Sequence, residues 1–190
     1  MEALLFLAAP FVMCLTLLGI HSYLGMHILA RGVIFVDLAL AQVAAFGALL
    51  PLALIEHPSA TVTYLASLGV TLATAAFLTI SNTLNKKVSQ EAIIGGVFAC
   101  SSAALILFAD QLAHGAEHLK HSLTGQLLWT SWSDVLKVVL IYSAVGLVHF
   151  LWRKPLLESS FGTQSNWRTD LLFYSLFAVV ITSSVQVAGI

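Results

Sequence analysis

The chain has 190 residues, of which 59% are hydrophobic and 9% charged, and its mean hydropathy is +0.95. Soluble domains carry about 25% charged residues, so this composition excludes an ordinary water-soluble globule and indicates a membrane protein. A formal net charge of -1 leaves no basic surface for nucleic acid.

A membrane-crossing helix needs about 20 apolar residues. Six stretches qualify, at roughly 3–20, 30–55, 61–80, 92–110, 134–152 and 171–190. The expected fold is all-α: a polytopic bundle of about six transmembrane helices in a single domain over 1–190. The period-two segments of a membrane β-barrel are missing from the pattern. The first stretch has Glu2 where a cleaved signal would carry basic residues, so it reads as an anchoring helix. Cys14 and Cys100 lie in apolar runs without ligand spacing and read as small buried hydrophobes. His21 and His27 flank SYLGM, which reads as a short first connection.

The second stretch opens RGVIFVDLALAQVAAFG and places Arg31, Asp37 and Gln42 at the head of a long apolar helix. A carboxylate in hydrocarbon is costly, and is kept for a pathway, a partner or an ion. Asp37 and Gln42 diverge by about 140° on an α-helix, so Asp37 is a stronger candidate than any Asp37–Gln42 pair. Arg31 has two expected roles besides lining a path: pairing with Asp37, or reaching the cytoplasmic lipid surface. Gly47, Gly69 and the Gly95-Gly96 pair fit close helix contacts. Glu91 suits a helix N-terminus.

The loop within 111–131 carries His114, Glu117, His118 and His121, which a short helix would set on one face as metal-collecting ligands or as a solvated docking surface. Trp129 and Trp132 fit an interfacial belt, and Ser133 or Asp134 is expected to cap the fifth span. The polar segment 153–170 is expected to be a cytoplasmic linker in which Pro155 ends span five. Glu158 and Arg168 are its candidate contacts to a cytoplasmic partner. Arg31, Lys86, Lys87, Arg153, Lys154 and Arg168 all fall on one side of the bundle, which is therefore the cytoplasmic side. The last run stops at Ile190 with no polar tail, as expected of a piece of a longer chain.

Four segments in this order resemble the membrane permease subunit of zinc, manganese and iron ABC importers, the ABC-3 type. They are LGMHILARGVIFVDLALAQVAAFG (24–47), VSQEAIIGGVFACSSAALILF (88–108), HGAEHLKHSLTGQLLWTSWSDVLKVV (114–139) and WRKPLLESSFG (152–162). The resemblance implies a homodimeric permease in a bacterial plasma membrane. It also implies a cytoplasmic ATP-binding subunit, an extracytoplasmic metal-binding protein, and a divalent metal as transported substrate with no resident cofactor. The family often carries an Asp and a nearby His in the second span; here Asp37 matches, and Gln42 stands near the place of the His. Gln is a poor zinc ligand beside imidazole. The chain lacks a GxxxxGK[ST] phosphate loop, so ATP hydrolysis is expected in a separate subunit. Two other readings stay open: an ion-coupled carrier or channel, and a membrane scaffold or inactive permease remnant.

Overall fold

Among the described residues, six helices are long and apolar enough to cross a membrane, and a short one lies at one end of them. The computed structural model describes residues 2–55, 57–84, 87–112, 115, 117, 120, 124–162 and 166–189, with side chains described from Phe6 onward and Leu84 excepted. In chain order the helices are α1 (Glu2–Arg31), α2 (Val36–Leu49, extended by a 3-10 turn to Ala53), α3 (Ala60–Leu84), α4 (Gln90–Asp110), α5 (Trp132–Leu151), α6 (Arg153–Phe161) and α7 (Trp167–Ala188).

The first boundary differs from the sequence expectation. SYLGM is no connection: α1 runs unbroken through it for 30 residues, and Arg31 closes α1 instead of opening the second span. What ends α1 is Gly32, at φ 66. Its N–H donates to the Leu29 carbonyl, and the Val33 N–H reaches back to the Ile28 carbonyl. This is the left-handed glycine stop that lets the last carbonyls of a helix find donors. Hydropathy cannot see it, because Gly32 is followed at once by more apolar residues. At the other end of α5, Pro155 does not terminate the span. It sits in the first turn of α6, where a backbone N–H would have no helical partner.

Contacts sort the helix ends into two faces. Phe6 packs edge-on to Trp129 at 5.9 Å between ring centroids, and the Gln126 N–H donates to the Val187 carbonyl. This outer face gathers the start of α1, the segment before α5 and the end of α7. At the inner face, Arg31 meets α6 and the start of α7, and Glu91 at the start of α4 accepts the Phe35 N–H at 3.1 Å. Glu91 thus ties α4 to the α1–α2 turn, beyond the favourable placement expected at a helix N-terminus. Arg31, Lys87, Arg153, Lys154 and Arg168 share the inner face, as the charge pattern anticipated.

Within the bundle, α2 and α7 are central. Half of the α2 span and 56% of the α7 span are buried, against 22–28% of the others. Small residues let α2 and α3 approach at backbone distance: a Cβ on Gly47 would stand 2.9 Å from the Ser67 Cα, and the Ser67 hydroxyl donates to the Ala44 carbonyl at 2.7 Å. Gly69, Gly95 and Gly96 have open space where a Cβ would go, so they make no such contact. Cys14 and Cys100 are exposed on α1 and α4, contrary to the buried placement expected. A stripe of apolar residues around these helices is no reason for burial here, since lipid solvates it.

The Gly47 seam makes a direct prediction. Gly47→Ala forces backbone apart and should lower the unfolding free energy in mixed micelles by about 1–3 kcal/mol. Gly95→Ala meets nothing and should not destabilise, which the same unfolding measurement will check.

Candidate functional site

The inner face is organised by one guanidinium. Arg31 Nη1 donates to Asp170 Oδ1 at 2.6 Å, Nη2 to the Ser159 hydroxyl at 3.0 Å and Nε to the Ser160 hydroxyl at 2.9 Å. The two charged side chains are 8% and 3% exposed, so this is a buried ion pair. Ser159 also donates to Asp170 Oδ1 at 2.7 Å. The guanidinium lies 4.3 Å from the centre of the Phe173 ring, which adds cation–π attraction. Ser160 Oγ accepts from Arg31, leaving its own proton for His27 Nδ1, 2.9 Å away. His27 lies edge-on to His149, whose Nδ1 lies 3.3 Å from the Tyr23 hydroxyl and whose buried Nε2 has no hydrogen-bond partner among the described residues. The members around Arg31 satisfy one another, which makes a buried polar cluster tolerable there.

This arrangement corrects the sequence expectation for Arg31. It neither pairs with Asp37 nor reaches for the lipid surface; it turns inward to Asp170, 139 residues along the chain. Asp170 is a buried acid that the sequence analysis did not single out. The sequence signal was present: Asp170 falls in the first turn of an apolar run, but beside the polar 153–170 segment it reads as part of a linker. Half of that segment is in fact helix α6, packed against α1 and α7.

With Arg31 diverted, Asp37 has no cationic partner among the described residues. It lies half-buried in the first turn of α2, where it accepts only the Leu38 N–H at 2.8 Å. Gln42 is half-buried too and has no hydrogen-bond partner among the described residues. Leu38, Gln42 and Phe46 fall four apart along one strip of α2, which runs from exposed Leu38 through half-buried Gln42 to Phe46, whose ring packs edge-on against Phe108 of α4. Asp37 lies at the inner end of α2, about 140° around the helix from Gln42, so the structure does not bring the two together, and neither meets Arg31.

Of the other candidates, Glu158 on α6 and Arg168 at the start of α7 are both exposed on the inner face. Glu117 is exposed on the outer side, while His114, His118 and His121 lie outside the described residues. The cap of α5 is Ser131, not Ser133 or Asp134. Its side chain accepts the Asp134 N–H, while Asp134 accepts the Ser131 N–H in return. Among the described residues, no three His, Cys, Asp or Glu side chains cluster as a metal site would require.

Six spans with a buried ion pair at their inner end define a polytopic α-helical membrane protein. The model of the ABC 3 transport family matches residues 4–190, and the chain belongs to that family, the membrane permease subunits of metal-type ABC importers. Its fold is similar to that of a solved structure described as PsaBC from Streptococcus pneumoniae in complex with Fab. That likeness has a TM-score of 0.72 at 19% identity and covers 97% of this chain and 66% of the other. This chain thus spans just under two thirds of the length of that relative. Comparison with curated proteins finds no match.

The ionic cluster predicts unequal costs for two truncations. Asp170→Ala leaves the Arg31 charge buried and unpaired and should cost about 3–5 kcal/mol. Ser131→Ala removes an exposed helix cap and should cost about 1 kcal/mol. Unfolding free energies in mixed micelles will rank the two.

Proposed function

We propose that this chain is the permease part of an ATP-driven importer of a divalent metal cation, zinc ahead of manganese or iron. Two copies would form the path in a bacterial plasma membrane. A separate cytoplasmic subunit hydrolyses ATP, and an extracytoplasmic protein delivers the metal. The observation that carries this reading is the family match over residues 4–190.

Two local features support it. Asp37 is half-buried in the first turn of α2 and has no cationic partner among the described residues, which suits attraction of a cation near the inner mouth. Gln42, more than one turn further along α2, would supply a neutral oxygen to the path from a different face of the helix. The second feature is α6. It buries only Leu156 and Ser160, and it exposes Leu157 and Phe161 beside Lys154 and Glu158. A short helix with an apolar and charged outer surface, next to exposed Trp167 and Arg168, is a fitting seat for the ATP-hydrolysing subunit. On the outer side, His114, Glu117, His118 and His121 form the proposed metal-receiving loop, and their imidazoles underlie the preference for zinc.

The test is radiometal uptake into proteoliposomes holding the full-length permease and its ATP-binding partner. Asp37→Asn should lower ATP-dependent uptake about tenfold, the equivalent of one charge-assisted contact; normal uptake by a well-folded variant removes Asp37 from the path. The Glu158→Ala, Arg168→Ala double variant should weaken capture of the ATP-binding subunit, read by co-purification. Absence of any ATP-dependent uptake by the unsubstituted complex would refute the importer reading.

A further inference from the structure

We infer that Arg31 is a positioning residue that fastens α6 to the inner ends of α1 and α7, so that a displacement of α6 reaches the membrane helices as one movement. This rests on the reading of α6 as the seat of the ATP-hydrolysing partner.

The argument begins with how little else holds α6. It has nine residues, too few to sustain an isolated helix in water. Only Leu156 and Ser160 are buried, so apolar packing contributes little to its attachment. Its polar attachment, by contrast, is dense. Both adjacent serines, Ser159 and Ser160, receive an N–H from the same Arg31 guanidinium, at 3.0 and 2.9 Å. The third arm of that guanidinium holds Asp170 on α7 at 2.6 Å, and Ser159 donates to the same carboxylate oxygen at 2.7 Å. One planar cation at the end of α1 therefore bonds to α6 twice and to α7 once, and α6 bonds to α7 directly.

A need for stability alone does not account for this choice. A buried ion pair gives little net stability over apolar side chains of the same volume. What a guanidinium fork adds is fixed relative geometry: three donors in one plane, aimed at groups on two other elements. Lys would keep the charge and lose the plane, which separates the two roles experimentally.

The full-length permease, reconstituted with its ATP-binding partner, is assayed for metal ions taken up per ATP hydrolysed. Arg31→Lys should leave ATP hydrolysis within about twofold and lower uptake about tenfold, the worth of a lost charge-assisted hydrogen bond, so the ratio falls. The Ser159→Ala, Ser160→Ala variant spares the ion pair and should shift the ratio the same way. A ratio equal to that of the parent in both variants overturns the inference, whether the two rates stay normal or fall together. A second measurement does not depend on transport. Spin labels at Leu29→Cys on α1 and Leu157→Cys on α6, both exposed positions, are placed in a Cys14→Ala, Cys100→Ala background. The parent should give one narrow interspin distance and Arg31→Lys a broadened one; an unchanged narrow distance overturns the inference. If the parent complex moves no metal while the label distances behave as expected, the importer reading fails and the fastening role of Arg31 stands.

Discussion

The ion pair between Arg31 and Asp170 closes the fold. It joins the end of the first membrane helix to the start of the last described one, across 139 residues of chain, and does so with both charges out of solvent. Removing two such groups from water costs several kcal/mol per ion. The cost is offset only because every arm of the guanidinium has a partner and an aromatic ring lies against its face. Everything at the inner end takes its position from that requirement: α6 must lie where its serines can accept, and α7 must begin where its acid can be reached. The α1–α2 corner, released from any duty toward Asp37, is held instead by Glu91 of α4.

Away from this cluster the bundle relies on a different chemistry. Lipid gives no hydrophobic reward for helix association, so close approach and satisfied hydroxyls do the work. Gly47 against Ser67 is the tightest case. Thr71, Thr79 and Ser101 return their hydroxyl protons to carbonyls of the preceding turn, at 2.7, 2.9 and 2.8 Å, and so remain buried without a partner on another helix. The polar atoms that do cross between helices are concentrated at the inner end. The bundle is thus locally self-sufficient through most of its depth and interdependent at one face.

Six spans could be read from the sequence because the length of an apolar run is fixed by membrane thickness, and the family could be read from four segments in order. That the described basic residues at the helix ends, Arg31, Lys87, Arg153, Lys154 and Arg168, gather on one face could also be read from their pattern. Two things could not be read. One was the boundary between the first two spans, since a glycine stop inside continuous apolar sequence leaves hydropathy unchanged; this misassigned Arg31 to the second span and read SYLGM, which is helix, as a connection. The other was the partner of Arg31. Six residues separate it from Asp37 and 139 from Asp170, and proximity in sequence made the nearer acid the natural choice. The helical wheel separates Gln42 from Asp37 by about 140°, and α2 is regular helix over both, so that separation holds in the structure.

The last helix, α7, has a fastening at each end. Near its outer terminus the Val187 carbonyl takes the Gln126 N–H from the segment before α5, and at its inner terminus Asp170 is gripped by Arg31 and Ser159. The helix is 22 residues long and uninterrupted, and the two fastenings stand about 26 Å apart along it at 1.5 Å per residue. Such a rod resists compression far better than the loops it connects. It is a strut pinned at both ends: neither terminus can shift against its neighbours without giving up the bond that fastens it.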